Sequence, residues 1–271
     1  MNYPKYRYDT PFCVFRGGMI FLYDGTFEGF LSAVFDAFTA KEEVKIEKKD
    51  GWQPLLFAET AEAATSQEKA ERVAEKLLSV CGSRGFSAIV YIFLSEAEEC
   101  ETSAFYLIKS VMKYGVKAFS RFQDEKIAHA MELRKKVSKE CDRFLGILRF
   151  SELSNGVFYA PCEPDHNIVP LIAGHFYERL SGTKWMIHDL RRGLALYHSD
   201  GNMENVEFTD ELTSHLNMAT LLGKSENEED FARMWRGYFK TIAIETRTNP
   251  KLQRQFMPQR YWKYLTEKKN G

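Results

Sequence analysis

The residues best suited to chemistry cluster in the middle of the chain. His188-Asp189 followed by Arg191-Arg192 brings an imidazole, a carboxylate and two guanidinium groups close together in sequence. Asp165-His166-Asn167 precedes an expected helix, on which His175 and Arg179 share a face at i, i+4. If His175, Arg179, His188 and Asp189 met, they would form a pocket holding acid, base and cation, suited to general acid–base work. A simpler assignment stands beside it. Asp165 or Asn167 caps the helix, His175 is a satisfied core residue, and Asp189 with Arg191 closes a turn. Asp24 and Glu28 also sit near one helix start, where paired carboxylates would do acid–base work or hold Mg²⁺, although capping is the simpler role for Asp24. These residues are candidates, and they do not decide whether the chain is an enzyme.

Other chemistries lack their motifs. The six histidines have no His-Glu-x-x-His or Cys-x-x-Cys…His spacing, so no transition-metal site and no cofactor are expected. No cysteine triplet would hold the iron–sulfur cluster of a radical-SAM enzyme. Gly17-Gly18 and Asp24 to Gly29 lack the Walker lysine and the dinucleotide spacing. Nothing near Cys162 in sequence would activate its thiol.

Charge is distributed unevenly. From Phe231 to Gly271 there are ten Lys and Arg against two acids, whereas the preceding 230 residues hold 27 basic and 36 acidic ones. The formal net charge of −1 therefore hides an acidic body with a basic, aromatic-rich end, a pattern that suits a polyanion. If residues 226–245 form one helix, Phe231, Met234, Trp235, Tyr238, Phe239 and Ile242 fall on one side and Arg233, Arg236 and Lys240 almost opposite. Such a helix is expected to bury its aromatic side and display a basic ridge. Asn249-Pro250 reads as an N-cap with Pro at the first position of a short helix, and Pro258 ends it. Arg260-Tyr261-Trp262-Lys263 then interleaves rings with cations, as nucleic-acid grooves do. The candidate nucleic-acid residues are Arg233, Arg236, Lys240, Arg247, Lys251, Arg254, Arg260, Tyr261, Trp262 and Lys263. The plainer alternative is that Tyr261 and Trp262 plug the core while the cations face water.

These residues need elements to position them. The chain has 271 residues, 44% hydrophobic, enough for a sizeable core. A short strand at 19–23 leads through Asp24 or Thr26 into a helix with an apolar face at Phe27, Phe30, Leu31, Val34, Phe35 and Phe38. Residues 41–66 read mostly as connection. Helices are expected over 67–80, 102–114 and 123–142, whereas 86–94 fits a strand or a buried helix equally. Residues 144–150 and 156–160 flank Asn155-Gly156, a hairpin signal, and 185–189 and 194–198 flank Arg191-Arg192-Gly193. With a helix at 168–180 between the pairs, this ββαββ order predicts an α+β fold. Its antiparallel sheet would be built from two hairpins flanked by helices, with a helical basic C-terminal segment. Residues 1–225 would form an acidic α+β body and 226–271 a basic module packed on it, together one structural domain. Five scattered cysteines suggest reduced thiols in the cytoplasm. With no run of 18 apolar residues and no signal-peptide pattern at the N-terminus, no membrane association is expected.

Several of these stretches resemble the bacterial "probable DNA metabolism" proteins. Trp235-Arg-Gly-Tyr-Phe239 and Glu245 to Glu267 are similar to that family's C-terminal signature, and Tyr23 to Phe35 to its N-terminal one. Gly146 to Phe150 and Trp185 to Arg191 are similar to its central blocks. The resemblance implies a DNA context. Family members are encoded beside a radical-SAM protein proposed to modify or repair DNA, and a similar domain occurs fused to a uracil-DNA-glycosylase-like domain. No glycosylase half is expected after Gly271. The family carries no established reaction, so no catalytic residue follows from it. The expected function is that of a DNA metabolism or repair accessory protein that binds nucleic acid and works with a radical-SAM partner. Two alternatives stand, an enzyme acting on a nucleic-acid component and an interaction adaptor without DNA contact.

Overall fold

The computed structural model describes residues 18–54, 58–206, 214–242 and 249–268. The chain forms two compact units, residues 1–134 and 135–271.

In the first unit, β1 (Met19–Tyr23) lies between β2 (Val44–Lys48) and β3 (Glu59–Glu62), all parallel. A central parallel strand is covered on both faces, which is why Ile20, Phe21, Leu22 and Tyr23 are apolar without alternation and all buried. The expected connection at 41–66 thus contains two strands. In β2 only Val44 and Ile46 are fully buried, and the charged residues between them obscured the period.

Helix α1 (Phe27–Ala37) starts at Thr26, whose hydroxyl accepts from the Gly29 N–H at 2.9 Å. Asp24 accepts from the Thr26 N–H and hydroxyl and from the Thr65 hydroxyl, so its carboxylate braces the turn. Gly29 is required there, since a Cβ would come within 2.1 Å of Asp24 Oδ1. Helix α2 (Gln67–Phe93) takes in residues 86–93, which the sequence left open between strand and helix, and it is kinked at Gly82. Among the described residues it is the one helix long and apolar enough to cross a membrane, and its Leu77, Ile89 and Ile92 are buried in the core. Helix α3 (Cys100–Tyr114) supplies Phe105, Leu107 and Ile108 to the same core, and Glu101 accepts from the Tyr23 hydroxyl at 2.9 Å.

Helix α4 (Glu125–Ile147) runs on to residue 147, so Phe144 to Ile147 are helical rather than the start of a hairpin strand. The sheet of the second unit orders β4 (Ser151–Glu152), β5 (Phe158–Cys162), β6 (Trp185–Asp189), β7 (Leu194–Ser199) and β8 (Asn202–Val206) in sequence. The hairpin expected from 185–189 and 194–198 is present, whereas the one expected from 144–150 is matched only in part, since β5 pairs with the two residues Ser151–Glu152 that follow that segment. The sheet is mixed rather than antiparallel, because β5 and β6 pair parallel across helix α5 (Val169–Arg179). A helical crossover returns the chain in the same direction, whereas a tight turn would reverse it. The α+β class stands.

Trp185 is fully buried, stacked 5.1 Å from His198 and met edge-on by Phe150. Helices α6 (Met218–Leu222), α7 (Glu228–Ile242) and α8 (Pro250–Phe256) follow, then 3₁₀ turns at Gln259–Tyr264 and Thr266–Lys268.

Candidate nucleic-acid interface

Helix α7 begins with Glu228, Glu229 and Asp230, where the macrodipole favours acids, and has Lys240 in its last turn. Its seating differs from the expected one. Phe231, Met234, Trp235, Tyr238 and Ile242 are 39–61% exposed, while Glu228 and Ala232 are buried. The helix packs along the border between its aromatic and cationic stripes. Two polar groups account for this. Glu228 Oε2 accepts the Glu152 N–H of the short strand β4 at 3.0 Å, and Trp235 Nε1 donates to Glu267 Oε2 at 3.0 Å. The Arg149 guanidinium lies 5.5 Å from the Trp235 ring centre. Burying the aromatic stripe would require turning these groups away.

The cations fall into two sets. Arg233 pairs with Asp230 at 2.6 Å, Arg236 with Glu229 at 3.0 Å and Lys263 with Glu163 at 2.5 Å, while Arg260 pairs with Asp165. Lys240, Lys251 and Arg254 are exposed and have no carboxylate partner among the described residues; Arg254 Nε donates to the Pro250 carbonyl. Arg247 lies outside the described residues. On α8, Asn249 caps the Leu252 N–H and Pro250 opens the helix, as the sequence indicates.

Tyr261 is not a surface ring. It is 2% exposed, edge-on to Phe144 at 5.0 Å, and its hydroxyl donates to Glu140 Oε1 at 2.8 Å. The plainer reading of this residue is the one the structure bears out. Trp262 is half-buried, donates Nε1–H to the Met257 carbonyl and has Lys268 Nζ 4.6 Å from its ring centre.

Glu140 was not singled out from the sequence. On α4 it stands at i+3 from Val137 and i−4 from Phe144, an acid inside an apolar stripe, and that misfit is the signal. It is 3% exposed and loaded with four donors. Oε1 accepts from the Asp165 N–H and Tyr261 hydroxyl, and Oε2 from the His166 N–H and Nδ1. Burial alone would raise its pKa, but these hydrogen bonds outweigh burial and hold it at about 2. Arg260 extends the network by donating to the Tyr261 hydroxyl. With both oxygens occupied, this carboxylate is a clamp rather than a base.

The four candidate catalytic residues do not converge. His188 and Asp189 are adjacent on β6, so their side chains point to opposite sheet faces. The fully buried His188 meets the Tyr159 hydroxyl at Nδ1 (2.9 Å) and the Ser214 carbonyl at Nε2 (2.5 Å). The Tyr159 hydroxyl accepts from the Met218 N–H, so it donates to Nδ1, and Nε2–H donates to Ser214. Burial lowers the His188 pKa and favours this neutral form. Asp189 accepts from the Arg191 and Arg192 N–H groups and the Arg192 side chain, which closes the turn; burial raises its pKa against those bonds. His175 and Arg179 are exposed on α5. Among the described residues no three His, Cys, Asp or Glu side chains group as a metal site.

No curated protein matches the chain. The family described as a domain of unknown function, DUF4130, matches residues 98–267, more than half of the sequence. That span takes in α3, α4, the five-stranded sheet and the C-terminal helices, and the chain belongs to the DUF4130 family.

Proposed function

We propose that this protein is an accessory factor of DNA metabolism or repair that binds nucleic acid through its C-terminal helices and works with a radical-SAM enzyme. The DNA context and the partner rest on the sequence resemblance. The binding rests on one observation. Lys240, Lys251 and Arg254 stand exposed without a carboxylate partner among the described residues, and Tyr238 and Phe256 are exposed large rings on the same two helices. Unpaired cations neutralise phosphates with counterion release, and exposed rings stack on bases for about 1–3 kcal/mol each. The free thiols of Cys81, Cys100, Cys141 and Cys162 suit a reducing cytoplasm.

Anisotropy of a labelled single-stranded oligonucleotide tests this. Binding is expected at about 50 mM salt and should fall steeply by about 200 mM. Replacing Lys240, Lys251 and Arg254 together by Ala should cut the log–log salt slope by about 2, at roughly 0.7 per lost phosphate contact. No binding at the lower salt would remove the reading.

A second reading has its own observation. Phe231, Met234 and Ile242 form an exposed apolar stripe on α7, and the aliphatic side chains of Met234 and Ile242 suit a protein surface better than bases. The adaptor reading expects the radical-SAM partner to co-purify after nuclease treatment and to be lost on Met234→Glu. Catalysis by His175, Arg179, His188 and Asp189 has no shared pocket to support it.

A further inference from the structure

The second unit contains a cleft of about 330 Å³ that nothing above uses. Pro161 and Glu163, at the end of β5, and Leu190, just after β6, form part of its wall. It therefore lies at the carboxyl ends of the one parallel strand pair in this sheet, where parallel strands commonly leave a ligand crevice. Its volume is at the lower end of the range for small-molecule pockets, about 300–1,000 Å³.

Three cations and one carboxylate, Glu163, line the cleft. Arg149 is committed. Its guanidinium takes Glu267 at 2.7 Å and the Gly146 and Leu148 carbonyls, so it is a fixed wall. Lys263 is paired with Glu163, but both are partly exposed and the pair can exchange.

Lys224 is different. Its nearest carboxylate oxygen, on Glu228, is 3.9 Å away, beyond hydrogen-bond reach, and the other oxygen of Glu228 holds the Glu152 N–H. Its backbone is fixed all the same. Lys224 bridges to Leu153, Ser154 N–H donates to the Gly223 carbonyl, and Ser225 N–H to the Glu152 carbonyl. Lys224 thus projects from a fixed backbone position, and its ammonium has donors to spare. Asn217, also on the lining, uses its oxygen to cap the Ala219 N–H, which leaves its NH₂ group to donate. Pro161, Leu190 and Tyr264 add apolar and aromatic surface to the lining, and the Tyr264 hydroxyl donates to Glu163.

A lining that combines cations and unused donors with apolar and aromatic surface is complementary to a phosphate carried on a flat organic group. We infer that this cleft binds a nucleotide through its 5′-phosphate, with Lys224 as the principal phosphate ligand, Lys263 as the second, and the base against Tyr264 and Pro161. The inference uses none of Lys240, Lys251 or Arg254, so it stands apart from the strand-binding proposal.

Isothermal titration of the full-length protein tests it with four probes: deoxycytidine 5′-monophosphate, deoxycytidine, inorganic phosphate, and a 5′-phosphorylated trinucleotide. The monophosphate, the trinucleotide or both should bind at least about tenfold more tightly than deoxycytidine or phosphate alone, the scale of one charge-assisted hydrogen bond. Which of the two binds identifies the source as a free nucleotide or a strand end. Lys224→Met should weaken that binding about tenfold with the melting temperature unchanged, and Lys224→Arg should largely restore it. If Lys224→Met shifts melting, Lys263→Met serves as the second variant and should also weaken binding. The inference is overturned if neither phosphorylated probe binds at millimolar concentration, if deoxycytidine binds as well as its phosphate, or if both lysine variants bind like the parent.

Discussion

Two buried groups contribute in different pH windows to how the second unit responds to acid. The folded pKa of Glu140, about 2, lies below its ordinary 4.5, so its contribution is complete above about pH 4.5 and disappears as pH falls toward 2. The difference is worth roughly 3 kcal/mol at neutral pH. Glu140→Gln should therefore cost about 3 kcal/mol in urea denaturation at pH 7 and much less at pH 2.5. His188 acts in an earlier window. Its folded pKa is depressed below 6.5, so the unfolded chain takes the proton first and stability declines as pH drops through that value. Tyr159→Phe would leave the Met218 N–H and His188 Nδ1 without their shared hydroxyl, at a cost of about 1–3 kcal/mol. Local caps such as Thr26 and Asn249 were legible in the sequence, because a cap is satisfied within three residues. Glu140 was not, because two of its four donors come from His166 and another from Tyr261, 121 positions away.

At the scale of elements, hydrophobic period identified the helices well, and long-range pairing decided what it could not. The strands β2 and β3 flank β1 without any turn to announce them, so parallel pairing is invisible locally. The rotation of α7 depends on Glu228 finding an edge N–H and Trp235 finding Glu267, neither of which its own period encodes. Helix α2 carries a testable irregularity. Gly82 has φ 67° and ψ −179°, a conformation essentially restricted to glycine, while a Cβ there would meet nothing within 4 Å. Gly82→Ala should thus destabilise by about 1–3 kcal/mol through backbone strain alone, read as a lower denaturation midpoint with an unchanged m-value.

For the whole molecule, the family span and the compact units have different boundaries. The DUF4130 match begins at residue 98, inside the first unit, and so includes α3 without β1, β2 or α2. Phe105, Leu107 and Ile108 of α3 are fully buried, and its Thr102 hydroxyl accepts the Ile46 N–H. A fragment starting at residue 98 should leave α3 amides unprotected in hydrogen exchange, whereas the full chain should protect them.

The arginines that carry their own anions have a separate consequence. Arg233, Arg236 and Arg260 each hold a carboxylate, the first and last at exposed sites and Arg236 half-buried, and exposed pairs are worth about 0–1 kcal/mol apiece. A lone chloride or acetate gains too little to displace a tethered rival, whereas a polymer with closely spaced negative groups can displace several at once. On the nucleic-acid reading proposed above, those carboxylates would act as an electrostatic filter, screening arrivals by charge density before any shape is read.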